Sequence, residues 1–259
     1  MSTELEIRQR RGTVALAGRE TRRVLSLWTQ TIVPPVLTAT LFLAVFGGAL
    51  GGRIRHIEGL PYLSFILPGL LVMTVAVQAF ANCATSLFQA KNDGYIEDIL
   101  TSPLRPRQVA LSYLTGGLLR GLLAAVIVAA IGLPFAHEGA QPALAALALV
   151  LTGLVFAALG VITGIWAETF DQQAFIANIV ITPLALLGGV FYSAQTLGEP
   201  WSTLTRIDPL YYLVDATRAG LTGVHRSPPW ISLAVAAAVA VIALTATTAL
   251  IARGWRLKP

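Results

Sequence analysis

Charged residues are scarce in this chain of 259 residues, and their scarcity excludes a water-soluble globule. Asp, Glu, Lys and Arg make up 12% of the sequence, whereas hydrophobic residues make up 55%. A soluble domain averages about 25% charged residues, because it needs them to coat its surface. The composition therefore predicts a protein that lives in a lipid bilayer. The length suits one membrane domain without a large soluble domain beside it.

Cysteine and nucleotide-binding motifs are also lacking. The single cysteine, Cys83, excludes intramolecular disulfides and thiolate-rich metal sites. His56, His137 and His225 lack the spacing of metal ligands. No G-x-x-x-x-G-K-[ST] phosphate loop occurs in the sequence. We therefore predict no catalytic centre, metal or cofactor on this chain. If ATP drives the protein, the ATPase must be a separate chain.

Six apolar stretches are long enough to cross a membrane, since a spanning helix needs about 20 mostly apolar residues. They are residues 30–50, 62–88, 108–135, 143–165, 173–192 and 230–252. The second and third are overlong, so we expect their cytoplasmic ends to project from the hydrocarbon. The predicted fold is an all-α membrane protein. It has a cytoplasmic N-terminal segment (residues 1–29), a six-span domain (residues 30–252) and a cytoplasmic tail (residues 253–259).

Lys and Arg residues set the predicted orientation of these spans. The net charge is +5, and the basic residues collect at the ends of the apolar runs. Twelve of the eighteen lie in residues 1–29, in the loop 91–107 and in the tail, against five in the opposite connections. Basic connections stay in the cytoplasm, so both termini and the loop are predicted there. The same pattern accounts for the basic balance without a nucleic-acid partner. An arginine-rich lead without an A-x-A site also predicts that no signal peptide is cleaved.

Two further segments outside the spans carry helical patterns. Residues 13–29 predict an amphipathic helix that can lie along the membrane surface, or else a plain basic anchor. Its polar side consists of Arg19, Glu20, Arg22 and Arg23, and its apolar side includes Val14, Leu16, Val24, Leu25 and Trp28. Residues 193–229 predict one or two short re-entrant helices that dip into or cap the outer leaflet before the last span.

The outer segment has a clear helix start at Asp208-Pro209, an N-cap acid followed by proline at the first helical position. Apolar residues then recur at helical spacing. Asp215 and Arg218 fall opposite them, and Gly220, Gly223 and Pro228-Pro229 are predicted to end the helix.

Polar residues inside spans are candidate functional groups, because burying them in hydrocarbon is costly. These are Gln78, Asn82, Arg120 and Asn178. They can line a translocation route, or they can form hydrogen bonds between helices. Arg120 can also reach toward the inner headgroups. The glycine pairs Gly117/Gly121 and Gly160/Gly164 permit close helix contact, either with another span or with a second subunit.

Residues 91–107, KNDGYIEDILTSPLRPR, form a charged, turn-rich segment between two long apolar runs. The spacing predicts a short helix, capped by Asn92 or Asp93, that ends at Thr101-Ser102-Pro103. Pro106 can begin the next helix at its first position. Its apolar side chains are Tyr95, Ile96, Ile99 and Leu100, and its acidic ones are Glu97 and Asp98. An apolar face this short must rest on a neighbour. That neighbour is either a groove on a soluble partner or the chain's own span ends.

The order of these features resembles the permease subunits of type-2 ATP-binding-cassette (ABC) exporters. That group includes drug-resistance, polysaccharide and lipo-oligosaccharide (nodulation-factor) export permeases. The likeness rests on the helix before the first span, the loop GYIEDILTSPLRPRQVALSYL after the second, the six spans, and IDPLYYLVDATR before the last. It extends over essentially the whole chain.

The resemblance implies a bacterial inner-membrane complex of two permeases, expected as a homodimer, and two ATPase subunits that bind ATP and Mg²⁺. The 91–107 loop would be the coupling helix seated in an ATPase cleft, and the loop near residues 166–172 would be a second contact. The implied ATPase-coupling residues are Gly94, Tyr95, Ile96, Glu97, Asp98, Ile99 and Leu100, with Glu168 and Asp171 in the second loop. Substrate would leave the cytoplasm or the inner leaflet outward.

Two other functions stay open at the level of sequence: an autonomous channel or secondary transporter, and a membrane assembly protein. No acidic residue lies centrally in a predicted span, which disfavours a proton- or sodium-coupled transporter. The partner-shaped loop disfavours a plain channel. The cargo also stays open among amphipathic drugs, lipids, glycolipids and polysaccharides.

Overall fold

The computed structural model describes residues 2–45, 56–135, 141–193 and 198–257. The helices are α1 (Ser2–Ser26), α2 (Trp28–Ala44), α3 (Tyr62–Asn92), α4 (Ile96–Thr101), α5 (Pro106–Gly132), α6 (Pro142–Trp166), α7 (Phe170–Ile176), α8 (Thr182–Leu187), α9 (Trp201–Ile207), α10 (Pro209–Thr222) and α11 (Pro229–Arg253). A π-helical segment, Ala177–Ile181, joins α7 to α8, and a 3-10 turn, Leu133–Phe135, follows α5. Two strands of two residues, β1 (His56–Ile57) and β2 (Leu60–Pro61), pair antiparallel before α3.

Five helical stretches of the described chain are long and apolar enough to cross a membrane. They are α3, α5, α6, the stretch Phe170–Leu187 and α11. A sixth is present if α1 and α2, which are bent by 58° relative to one another, count as one broken span. The all-helical fold with five to six candidate spans is thus confirmed. The last five residues of the first predicted span, 46–50, lie outside the described residues, as does His137.

Helix α3 lies at the centre of the bundle, between α5 and α6. Glycines allow this close approach. A Cβ added at Gly160 of α6 would lie 2.4 Å from the main-chain oxygen of Phe80, and one at Gly117 of α5 would lie 2.9 Å from that of Ala79. Gly164 and Gly121 meet α3 backbone in the same way. Both glycine pairs therefore face another span of the same chain.

Local sequence signals fix several helix ends as predicted. Pro106 begins α5, and the Asp208 carboxylate accepts a hydrogen bond from the Leu210 N–H at 2.8 Å at the start of α10. Gly223 ends α10 at a φ of 73°. Gly220, in contrast, does not end the helix. It lies inside α10, where a Cβ would come within 2.5 Å of the Ala145 nitrogen.

The N-terminal helix differs from the predicted amphipathic helix in both length and orientation. It begins at Ser2 rather than residue 13, and it ends at Ser26. Glu20, assigned to the polar side, is fully buried, whereas Val14 is 66% exposed. Polar partners on α3 and α5 bind Arg19, Glu20 and Arg23, whereas Arg22 is exposed. Only part of the predicted polar side is therefore solvated.

Candidate functional site

The short helix α4 lies at the end of the bundle where α3 ends and α5 begins. Helix α3 runs on through Asn92, and Gly94 then turns the chain at a φ of 80°, a conformation that favours glycine. Tyr95 is the N-cap of α4, without a side-chain cap bond. The predicted cap by Asn92 or Asp93 is therefore wrong, because α3 extends over Asn92 and Asp93 closes its last turn.

The apolar side of α4 packs on the chain's own helices. Ile96 is buried, and Tyr95, Ile99 and Leu100 are partly buried against the main hydrophobic core. Burial raises the pKa of the Tyr95 phenol, whose ring lies 4.8 Å from the Arg19 guanidinium carbon. The sequence left two possible neighbours for this apolar side, a groove on a soluble partner or the chain's own span ends. The structure shows it packed on the span ends.

The acidic side of α4 faces outward. Glu97 and Asp98 are both exposed, in the first turn of the helix. Negative charge is favourable at this end of a helix, because unpaired N–H groups give it a partial positive charge. Since the apolar side is occupied, the groups at α4 that remain accessible to a partner are these carboxylates, Thr101 and the neighbouring Gly94.

A groove of about 540 Å³ adjoins α4 on one side. It lies between α4, the end of α3, the α6–α7 connection and the segment after α11. Its lining residues are Phe88, Lys91, Asn92, Gly94, Ile96, Glu97, Ala167, Glu168, Arg256 and Leu257. The groove brings α4 and Glu168 to the same surface. Asp171 is exposed in the first turn of α7 and does not line the groove.

Two basic side chains brace the walls of this groove. The Lys91 ammonium donates to the main-chain oxygens of Ile165 at 2.6 Å and Ala167 at 2.9 Å, at the end of α6. Arg256 donates to the Trp166 oxygen at 2.9 Å and lies 3.4 Å from the Glu168 carboxylate. Cations favour helix C-termini, where carbonyl groups lack partners. Lys91 therefore fastens the end of α3 to the end of α6, directly behind α4.

The four polar residues predicted within spans do not form one group. The Arg120 Nε donates to the Gln78 side-chain oxygen at 2.9 Å, and its Nη2 donates to the main-chain oxygen of Gln30 at 3.0 Å. Asn82 is buried one turn further along α3. Asn178 is exposed on the π-helical segment and is not part of this hydrogen-bonded group within the described ranges.

Glu20 was predicted on the polar side of the N-terminal helix, but it is fully buried. Its Oε2 accepts from the Ser86 hydroxyl at 2.6 Å, and its Oε1 accepts from Arg19 at 2.7 Å. It thereby joins α1 to α3. A signal existed in the sequence: Leu16, Glu20 and Val24 are spaced four apart and lie on one helical face. Leu16 and Val24 are buried with it.

At the opposite end of the bundle, Asp215 and Arg218 are buried instead of lying on a polar face of α10. Asp215 accepts from the main-chain N–H of Arg226 at 2.9 Å, and Arg218 donates to the oxygen of Gly189 at 3.0 Å. Arg226 also pairs with Glu58. Burial alone would raise the pKa of Glu58, but hydrogen bonds from Arg226 and Ser193 outweigh it and lower that pKa.

Comparison with known proteins decides the family. The model of the ABC-2 type transporter family matches residues 11–222. The chain belongs to the ABC-2 type transporter family. It is 39% identical over 212 residues to the inner membrane transport permease YadH of Escherichia coli strain K12. The aligned residues cover 82% of this chain and 83% of that protein. The resemblance drawn from the loop and the outer helices is thereby confirmed.

Two nodulation proteins are more distant relatives of this permease. It is 26% identical over 222 residues to nodulation protein J of Rhizobium meliloti strain 1021, covering 85% of this chain and 84% of that protein. It is 21% identical over 238 residues to nodulation protein J of Rhizobium leguminosarum bv. viciae, covering 90% and 92%. The permease is the non-catalytic, membrane-spanning subunit of an ABC transporter, a kind of subunit that works with an ATP-binding cassette subunit.

Proposed function

We propose that this permease exports an amphipathic drug, lipid or glycan from the cytoplasm or inner leaflet, as a homodimer that binds two ATPase subunits. The complex lies in the bacterial inner membrane with both termini in the cytoplasm. ATP and Mg²⁺ bind to the ATPase subunits. The exposed acidic side of α4, beside the groove that contains Glu168, carries this proposal.

The attachment of α4 makes it suited to transmit movement. Only residues 93–95 separate it from α3, and residues 102–105 separate it from α5. Ile96 is buried beneath it, and Lys91 links the end of α3 to the end of α6. A force applied to Glu97 and Asp98 therefore reaches the three most closely packed helices of the bundle. Because packed interfaces resist continuous deformation, such a force displaces whole helices.

The remaining predicted contacts fit the same arrangement. Glu168 and Asp171, at the α6–α7 connection, supply a second contact with the ATPase. Leu5, Ile7, Val14 and Leu25 of α1 are exposed beside arginines, which supports a position along the membrane surface. Helices α9 and α10 close the outer side as re-entrant elements. Polar residues within the spans border the substrate route: Gln78, Asn82, Arg120 and Asn178. Of these, Gln78 and Arg120 form a hydrogen bond with one another.

Charge reversal on α4 tests the coupling role. In Glu97→Lys, an ammonium replaces the carboxylate that faces the ATPase in this proposal, and like charges that meet across an interface cost several kcal/mol. We expect cargo-dependent ATP hydrolysis in proteoliposomes to fall at least about tenfold, while the permease still inserts. Glu4→Lys, at an exposed glutamate of α1, is the matched control. Full coupling in Glu97→Lys, or co-purification of no ATPase with the unmodified permease, would refute the proposal.

A further inference from the structure

Positive charge is in excess where α1, α2, α3 and α5 meet. Arg19, Arg23 and Arg120 supply three guanidinium groups, and among the described residues Glu20 is the one carboxylate that forms an ion pair with any of them. Glu20 accepts from Arg19 at 2.7 Å and lies 4.0 Å from Arg23. One carboxylate against three guanidiniums leaves a surplus of two positive charges. Arg19 and Arg23 are partly exposed, with side-chain exposures of 38% and 20%, so water solvates part of their charge. A surplus of positive charge on partly buried groups favours an anion from another molecule, because removing charge from water is costly.

Of the three arginines, Arg120 most clearly lacks a negatively charged partner. Both of its hydrogen-bond acceptors, on Gln78 and Gln30, are neutral. In the described part of the chain, no acidic side chain forms an ion pair with it. Arg23 lies near enough to act on it with a charge of the same sign. An ionisable residue within a spanning helix is costly unless it serves a ligand or a transport route. The hydrogen bonds to these two neutral acceptors orient the guanidinium. Because the group carries five N–H donors, others remain for an anion.

An apolar surface begins next to this charge. The main-chain oxygen of Gln30 holds Arg120 at the first turns of α2. Val33, Leu37 and Leu41 follow on the same side of α2, at spacings of three and four residues, and all are exposed. A single amphiphile can therefore place an acidic headgroup at Arg120 and lay its tail along α2.

We propose that Arg120, oriented by Gln78 and reinforced by Arg23, binds the acidic headgroup of the amphiphile that the permease exports. The proposal rests on the proposed export function and narrows its cargo to molecules with a phosphate or carboxylate next to an apolar tail. The guanidinium takes the anion through charge-assisted hydrogen bonds. The exposed stripe of α2 contacts the tail.

Binding by the permease alone tests the site without requiring the ATPase. The probes are phosphatidylglycerol and phosphatidylcholine with the same fluorescent tail, added to purified permease in neutral detergent. We expect tighter binding of phosphatidylglycerol. Arg120→Gln should lower that preference about fivefold, the effect of one basic residue near a membrane surface. Arg120→Lys should retain part of the preference, because it keeps the charge but not the planar fork. Arg11→Gln, at an exposed arginine of α1, should leave it unchanged.

Transfer between leaflets tests whether the bound amphiphile is cargo. In vesicles that contain the permease and its ATPase, labelled phosphatidylglycerol should cross with ATP, and Arg120→Gln should slow the transfer by a similar factor. Equal affinity for the two probes, or an unchanged preference in Arg120→Gln, would overturn the site. Binding without ATP-driven transfer would identify a resident lipid and overturn the cargo role. Loss of ATPase coupling in Glu97→Lys with intact probe binding would leave both proposals standing, because the two tests use different residues.

Discussion

Glu20 shows how one residue can join an N-terminal helix to a membrane bundle. The carboxylate is fully buried, and its partners are the charged Arg19 and Arg23 on α1 and the neutral Ser86 hydroxyl on α3. Gly116 of α5 makes room for it, since a Cβ there would lie 3.0 Å from that of Glu20. Breaking a buried pair costs more than the pair contributes, because the remaining charge stays buried without compensation.

Replacing this carboxylate should weaken the attachment of α1. In Glu20→Gln the side chain keeps its size and can still accept from Ser86, but Arg19 and Arg23 lose their counter-charge. We expect a loss of about 1–3 kcal/mol, because water screens part of the charge on the partly exposed Arg19 and Arg23. The measurement is the midpoint of thermal unfolding in detergent, which should fall. Glu4→Gln removes an exposed pair with Arg8, four residues away on α1, and should change stability by less than about 0.5 kcal/mol. Equal effects of the two substitutions would show that burial of Glu20 is unimportant.

Among the elements, α3 owes its central position to glycines on both neighbouring helices. Gly160 and Gly164 of α6 meet the oxygens of Phe80 and Ala84, and Gly117 and Gly121 of α5 meet those of Ala79 and Val75. These contacts let helix backbones approach without side chains between them, which strengthens packing between helices in lipid. Under the proposed coupling role, a force that reaches α3 through α4 would thereby pass to α5 and α6.

One methyl group at this interface should have a large effect. In Gly160→Ala the added Cβ would lie 2.4 Å from the Phe80 oxygen, so α3 and α6 must separate. Overpacking of this kind costs about 1–3 kcal/mol, which we expect as a lower unfolding midpoint in detergent. Gly18→Ala is the matched control, because that helical glycine has no atom within 4 Å of the added Cβ. It should stabilise by up to about 1 kcal/mol through helix propensity. If both variants gain stability, the α3–α6 contact is looser than this structure shows.

At the scale of the whole molecule, the two ends of the bundle differ in chemistry. One end carries α1, α4, the groove and the segment after α11, with most of the basic residues of the described chain. The other end carries α10 and the network of Asp215, Arg218 and Arg226 with Glu58. Excess Lys and Arg in short connections retains them in the cytoplasm. We therefore predict that the α4 end faces the cytoplasm.

Single-cysteine labelling can measure this orientation. Cys83 is fully buried and is the one cysteine of the sequence, so the unmodified permease should give little background labelling with a membrane-impermeant maleimide. Asp98→Cys, on exposed α4, should react only in inside-out vesicles. His225→Cys, at an exposed position after α10, should react only in right-side-out cells. The reverse pattern would contradict the predicted orientation and, with it, the assignment of α4 to the ATPase.

The sequence by itself determined the features that depend on short stretches of chain. Hydropathy over about 20 residues is enough to locate spans, because each span meets the bilayer on its own. The helix starts at Pro106 and Asp208 and the end at Gly223 also depend on local backbone chemistry, and the structure confirms them. The order of loop and outer helices was enough to identify the family.

Only the tertiary structure decided which side of each element faces inward. The bond from Ser86 to Glu20 joins residues 66 positions apart, and the bond from Arg120 to Gln78 joins residues 42 positions apart. Periodicity places a residue on a face of a helix but cannot name the partner that covers that face. For this reason Glu20, Asp215 and Arg218 were predicted on polar faces, and the neighbour that covers the apolar side of α4 stayed open between a partner and the chain's own span ends. Each is buried because a distant helix supplies the hydrogen bonds or the apolar surface that offset its loss of water.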